Sequence, residues 1–82
     1  MKGVVMNLLA DMVESQLGME EWNAVLDEAG EDGIYTATSI YEDERLLNMV
    51  GILSRRNDIP VKDLVYAFGQ FMFPAFFTRY PQ

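Results

Sequence analysis

Residues 64–77 read LVYAFGQFMFPAFF, fourteen positions at which Gln70 is the only side chain that is neither apolar nor tyrosine. The run predicts a helix that is apolar on every side, and such a helix must be covered on every side. It does not suit a membrane span, which needs about 20 consecutive apolar residues. Pro74 cannot donate to the carbonyl of Gln70 and its ring crowds that turn, so a bend or restart is expected near it. What covers this helix therefore decides the architecture.

Upstream of the run, Asn57-Asp58-Ile59-Pro60 reads as a break. Pro60 suits the first position of a helix, where its missing N–H would have no partner in any case. That fourth helix carries Val61, Leu64, Val65 and Phe68 into the aromatic stretch. A third helix is predicted over residues 42–56, with Leu46, Leu47, Val50 and Leu53 inward and Arg55 and Arg56 in its last turn. Ser39 followed by Glu42 fits a capping box, and Glu42, Asp43 and Glu44 stand where a helix N-terminus favours negative charge. Residues 31–40 (EDGIYTATSI) join an Asp-Gly turn signal to β-branched residues and Tyr35. No second strand offers a partner, so the segment reads as a packed loop.

The first helix is predicted over residues 4–17, where Val5, Leu8, Leu9, Met12, Val13 and Leu17 recur at spacings of three and four. Gly18 ends it. Residues 19–29 repeat the pattern with Trp22, Val25, Leu26 and Ala29, leaving Glu20, Glu21, Asp27 and Glu28 outward as a solvated acidic face, and Gly30 closes the helix. The expected fold is all-α, a single unit over residues 1–82 built of four helices and one ordered loop. Three short amphipathic helices cover only one face of the aromatic helix. The other face calls for a second copy of the chain, a further stretch of polypeptide or a cofactor.

Composition narrows the chemistry. The chain has 82 residues, ten of them aromatic and six Met, with half of all residues hydrophobic. A domain this small buries only about 60–65% of its unfolded surface, so large apolar side chains must carry the core. With no Cys and no His, disulfides, zinc fingers, thiol or Ser/His nucleophile pairs and imidazole ligation are excluded. The net charge is −7, and Lys2 is the only base among the first 44 residues. Nucleic-acid binding, which rewards clustered basic surface, is not expected. The carboxylates of Glu20, Glu21, Asp27 and Glu28 lie on a wet helix face, where pKa values stay ordinary, so an enzyme is not expected either. The first residues do not form a signal peptide and no segment spans a membrane, so a cytoplasmic location is expected.

Several stretches together resemble a known family. These are Met1-Lys2-Gly3-Val4-Val5-Met6-Asn7-Leu8-Leu9, the Trp22 helix, Gly33-Ile34-Tyr35-Thr36, Tyr41 followed by acids, Val50-Gly51, and Ala67-Phe68-Gly69 before an aromatic run to Arg79-Tyr80-Pro81. In order and spacing across essentially the whole chain they are similar to the N-terminal part of a haem nitric oxide/oxygen-binding (H-NOX) domain of the bacterial stand-alone type. The resemblance implies that residues 1–82 form the helical distal subdomain of an α+β fold, part of a longer domain, lying over the haem face where gas binds. By motif position, Val5, Leu9, Met72, Phe73 and Phe76 would line that face. The family's proximal His and its Tyr-x-Ser-x-Arg motif for the haem propionates have no counterpart here. Tyr41-Glu42-Asp43-Glu44-Arg45 has the Tyr and Arg spacing, but Asp replaces Ser and the position is wrong.

The resemblance further implies an NO sensor that regulates a histidine kinase or a cyclic-nucleotide signalling enzyme, with haem as cofactor of the full domain and no tight haem ligation by these 82 residues alone. The alternative is an acidic helical interaction module that self-associates through its C-terminal aromatic helix, giving a homo-oligomer, with Phe71, Phe73, Phe76 and Phe77 as anchors.

Overall fold

The computed structural model describes the backbone of residues 1–79 and the side chains of residues 1–72. Four helices follow one another: α1 (Gly3–Leu17), α2 (Met19–Ala29), α3 (Asp43–Asn57) and α4 (Val61–Arg79). They pack as a closed ring, α1 on α2, α2 on α3, α3 on α4, and α4 back on α1. The expected four helices and ordered loop are present. The helix over α4 runs through Pro74 without a restart.

The core collects Met6, Leu8, Leu9 and Val13 of α1, Trp22 and Val25 of α2, and Met49 and Leu53 of α3, with Leu64 and Phe68 of α4 at its edge. Met6, not counted in the predicted α1 stripe, is 0% exposed; it lies three residues before Leu9 and seven before Val13, and so on the same face of the helix. Leu47 and Leu17 are corrections in the other direction. Both have the inward spacing, but Leu47 is 61% exposed and Leu17 40% exposed, because the neighbouring helices do not reach that far round α3 or along α1.

The N-terminus of α1 has no side-chain cap; Lys2 occupies the cap position. Its first free N–H groups are satisfied from the loop instead: Gly3 N donates to the Ser39 carbonyl at 2.9 Å and Val4 N to the Ala37 carbonyl at 3.0 Å. An isolated antiparallel bridge joins Lys2 to Ile40, and Tyr41 N donates to the Met1 carbonyl at 2.7 Å. Asn7 Nδ2 adds a bond to the Tyr35 carbonyl at 3.2 Å. This docking also explains why the Ser39–Glu42 capping box does not form. Ser39 is held in a turn, its N–H donating to Thr36, and α3 starts at Asp43 with no side-chain cap.

Gly3 allows the loop to lie this close. A β-carbon there would stand 2.7 Å from Tyr41 Cε2 and 2.8 Å from the Thr36 carbonyl carbon, on top of the Thr36 oxygen. Gly30 serves another purpose, since its left-handed φ of 73° ends α2 and its N–H caps the Asp27 carbonyl. Pro60 sits one residue before the first helical position of α4, and its carbonyl accepts from Leu64 N at 3.1 Å.

Candidate functional site

Of the five residues expected to line the gas-binding face, three have described side chains. Val5 stands half-buried on the first turns of α1, Leu9 one turn further on is 1% exposed, and Met72 on α4 is half-buried. Val5 and Met72 pack against the rim of the core, as does Phe71. Val5 and Leu9 share one face of α1, since i and i+4 lie one above the other. Leu9 presents almost no free surface and backs the rim from inside. Phe73 and Phe76 lie outside the described side chains.

On the same face of α1, toward its C-terminus, a cavity of about 530 Å³ opens between α1, α3 and α4. Met12, Val13, Leu53, Leu64 and Phe71 form its apolar wall, and Gln16 and Gln70 are its polar lining groups. Val5, Leu9 and Met72 are not among its described lining residues. The exposed side of α4 carries Val61, Val65 and Tyr66, which are 47%, 52% and 70% exposed. Among the described residues no helix is long and apolar enough to cross a membrane.

The arginines of α3 are engaged elsewhere. The three arginines of α3 each pair with an acid of α2 or of the loop: Arg45 with Glu31, Arg55 with Glu28, and Arg56 with Glu21. Glu21 and Glu28 are therefore not simply solvated, as the helical pattern suggests, but fasten α2 to α3. Arg56 reaches Glu21 through two bonds of 2.9 and 3.0 Å, and Asn57 Nδ2 donates to the same carboxylate at 3.0 Å. The Arg56 bond holds the Glu21 carboxyl below its ordinary value near 4.5, against the opposing effect of desolvation. Glu31 is lowered likewise, chiefly by Arg45, with Tyr35 donating a further hydrogen bond. Burial and the Glu31 carboxylate together push the Tyr35 phenol above its usual range. Arg45 is committed to Glu31, Tyr35 and Tyr41, so the Tyr41–Arg45 spacing has a local use unrelated to propionate binding.

A carboxyl lowered in the folded state lends stability above its unfolded pKa and loses it as pH falls through the folded value. The melting temperature is therefore expected to hold steady from pH 7 to about 5 and to fall below about 4.5 as Glu21 and Glu31 protonate. A thermal-melt series should show a shallower fall in the Glu21→Gln/Glu31→Gln double variant. An equally steep fall would assign acid sensitivity to other carboxylates.

A family model described as haem-NO-binding matches residues 2–82. An H-NOX protein from S. oneidensis in the Fe(II) ligation state superposes with a TM-score of 0.88 at 38% identity, over 96% of this chain and 43% of that one. The same protein in its Fe(II)NO state gives 0.86 at 38% identity, over 96% and 44%. A mutant H-NOX protein from K. algicida, unliganded and Fe(II), gives 0.91 at 26% identity, over 99% and 45%. No match was found among curated proteins. The chain spans less than half the length of each of these structures. With a family model matched over nearly every residue and the four-helix ring shared at 38% identity, the chain belongs to the haem-NO-binding, or H-NOX, family.

Proposed function

We propose that residues 1–82 act as the distal part of a haem-based NO sensor, with Val5, Met72, Phe73 and Phe76 against the ring face and Leu9 supporting them from behind. The observation that carries this reading is a family match over residues 2–82 in a chain without a single imidazole or thiolate. Such a chain offers haem an apolar face and neither a His nor a Cys axial ligand. The half-buried, apolar side chains of Val5 and Met72 suit one side of a flat apolar ring. Haem supplies the gas-binding iron when bound; this chain's residues shape the space above it.

That space has a selectivity. Bound O₂ gains from a nearby hydrogen-bond donor as negative charge shifts onto it, whereas bound NO does not depend on one. None of the five side chains donates, so the pocket they form favours NO. We further propose that α1–α4, sharing one core, move as a body when gas binds, shifting a two-state equilibrium read by a histidine kinase or cyclic-nucleotide enzyme in the cytoplasm. Catalysis by the chain itself is not part of this reading. Glu21 is pushed down by Arg56, the opposite of what a general acid at neutral pH requires.

Joining residues 1–82 to the C-terminal portion of the S. oneidensis H-NOX protein tests the reading. The chimera is expected to purify coloured, with a Soret band that shifts on adding NO and no stable O₂ complex in air. A chimera that is helical by circular dichroism yet colourless would overturn it. Dimerisation of such a colourless protein through α4 would support the interaction module instead.

A further inference from the structure

We propose that Arg45 is a positioning residue for the gas-facing edge of α1, acting through the loop that supplies the backbone partners of that helix's first turn. This rests on the reading of Val5 as haem-facing. The Arg45 guanidinium engages both oxygens of Glu31, whose side chain is 9% exposed. It also stands 5.8 Å from the ring centre of Tyr35 and 5.2 Å from that of Tyr41. Those two rings meet edge to face at 5.4 Å and 84°. Glu31, Tyr35 and Tyr41 are the beginning, middle and end of the α2–α3 loop, so one side chain grips the loop at three points. Tyr35 O–H donates to Glu31 at 2.9 Å, and Tyr41 Oη accepts from Thr36 N at 2.8 Å, which tightens the same unit.

What the loop then holds is α1. The Ala37 and Ser39 carbonyls take the N–H groups of Val4 and Gly3, and the Tyr35 carbonyl takes Asn7. Every one of these acceptors lies between Glu31 and Tyr41. Val5 follows directly on Val4, so its place at the rim is set by carbonyls that Arg45 keeps in position. Only an arginine fork does this, because a planar guanidinium can bond a carboxylate bidentately while its faces meet aromatic rings. Lysine keeps the charge and loses the fork.

Arg56 provides the control. It makes an equivalent two-bond pair with Glu21, between α3 and α2, and none of its bonds reaches the loop. Amide hydrogen exchange on the haem-free chain should therefore separate the two. Arg45→Gln is expected to speed exchange at Gly3 and Val4 by about tenfold relative to Val25 and Leu53, a local opening and not a global one. The Val5 methyl resonances should shift as well. Arg56→Gln should leave Gly3, Val4 and Val5 as in the parent, and Arg45→Lys should fall between, which keeps the test usable if Arg45→Gln unfolds. Uniformly faster exchange in Arg45→Gln, or equal effects of the Arg45 and Arg56 changes at Gly3 and Val4, would reduce Arg45 to an ordinary stabilising pair and overturn the proposal. The readout involves no haem, so its failure is distinct from a colourless chimera.

Discussion

Leu53→Ala is expected to lower the melting temperature by roughly 10–30 °C. Leu53 is 0% exposed on α3. Removing a fully buried leucine costs about 2–5 kcal/mol, the upper end applying where surrounding atoms cannot collapse into the gap. Here collapse is limited on one side by an existing space, since Leu53 already lines the 530 Å³ cavity with Met12 and Leu64. A domain of this size has about 5–15 kcal/mol in total, so the loss is a large share. Leu47, on the same helix and 61% exposed, is the internal comparison: Leu47→Ala should stay within about 0.5 kcal/mol of the parent. Thermal melts followed by circular dichroism read both. Similar losses for the two leucines would mean that α3 is rotated about its axis from the position described.

Gly3→Ala should destabilise, reversing the usual sign of a glycine-to-alanine change in a helix. In an open helical site alanine is favoured by about 1 kcal/mol. At Gly3 the new β-carbon would meet the Thr36 carbonyl and Tyr41 Cε2 at 2.7 Å, and α1 cannot swing aside without breaking the 2.9 Å bond to Ser39. Overpacking costs about 1–3 kcal/mol, and each backbone hydrogen bond lost adds about 1 more. After the helix preference is subtracted, a net loss of about 1–3 kcal/mol is expected. Gly51 sits within α3 with nothing near its added β-carbon, so Gly51→Ala should gain about 0.5–1 kcal/mol. Denaturant melts of the pair should move in opposite directions. The same direction for both would show that the loop yields without cost.

The helices are legible because an apolar stripe at spacings of three and four is a local signal, readable at Val25 or Leu53 without knowing any neighbour. Where the stripe misleads, at Leu17 and Leu47, the residue lies at the margin of the buried face: on α3 that face centres on Met49 and Leu53, which leaves Leu47 outside it. The docking of the α2–α3 loop on α1 is not legible, because it joins Asn7 to Tyr35 across 28 residues of chain and periodicity carries no information at that range. One hint is available: α1 begins with no Ser, Thr, Asp or Asn at its cap, so its free N–H groups have to find partners elsewhere.

The site is less legible than the fold. Nothing in the spacing of Val5, Leu9 and Met72 distinguishes a ring-facing residue from a core residue; only their place in the family pattern does. In the sequence Arg45 is merely the end of a coincidental Tyr-to-Arg spacing. Its partners Glu31 and Tyr35 lie in a different segment, and an ion pair between segments exists only once the chain has folded. The acids of α2 likewise read as solvated, because a sequence shows that a glutamate faces away from its own helix's stripe but not that an arginine of α3 waits there.

The unequal anchoring of the four helices ranks the ways this molecule can open. The helices α1, α2 and α3 share the fully buried side chains, whereas α4 contributes only Leu64 and Phe68, each still 8% exposed, among its described residues. Free energies of local opening follow such differences in buried contact. Among the described side chains α4 is therefore the least deeply anchored helix, and amide exchange is expected to reach its described turns before the cores of α1, α2 and α3.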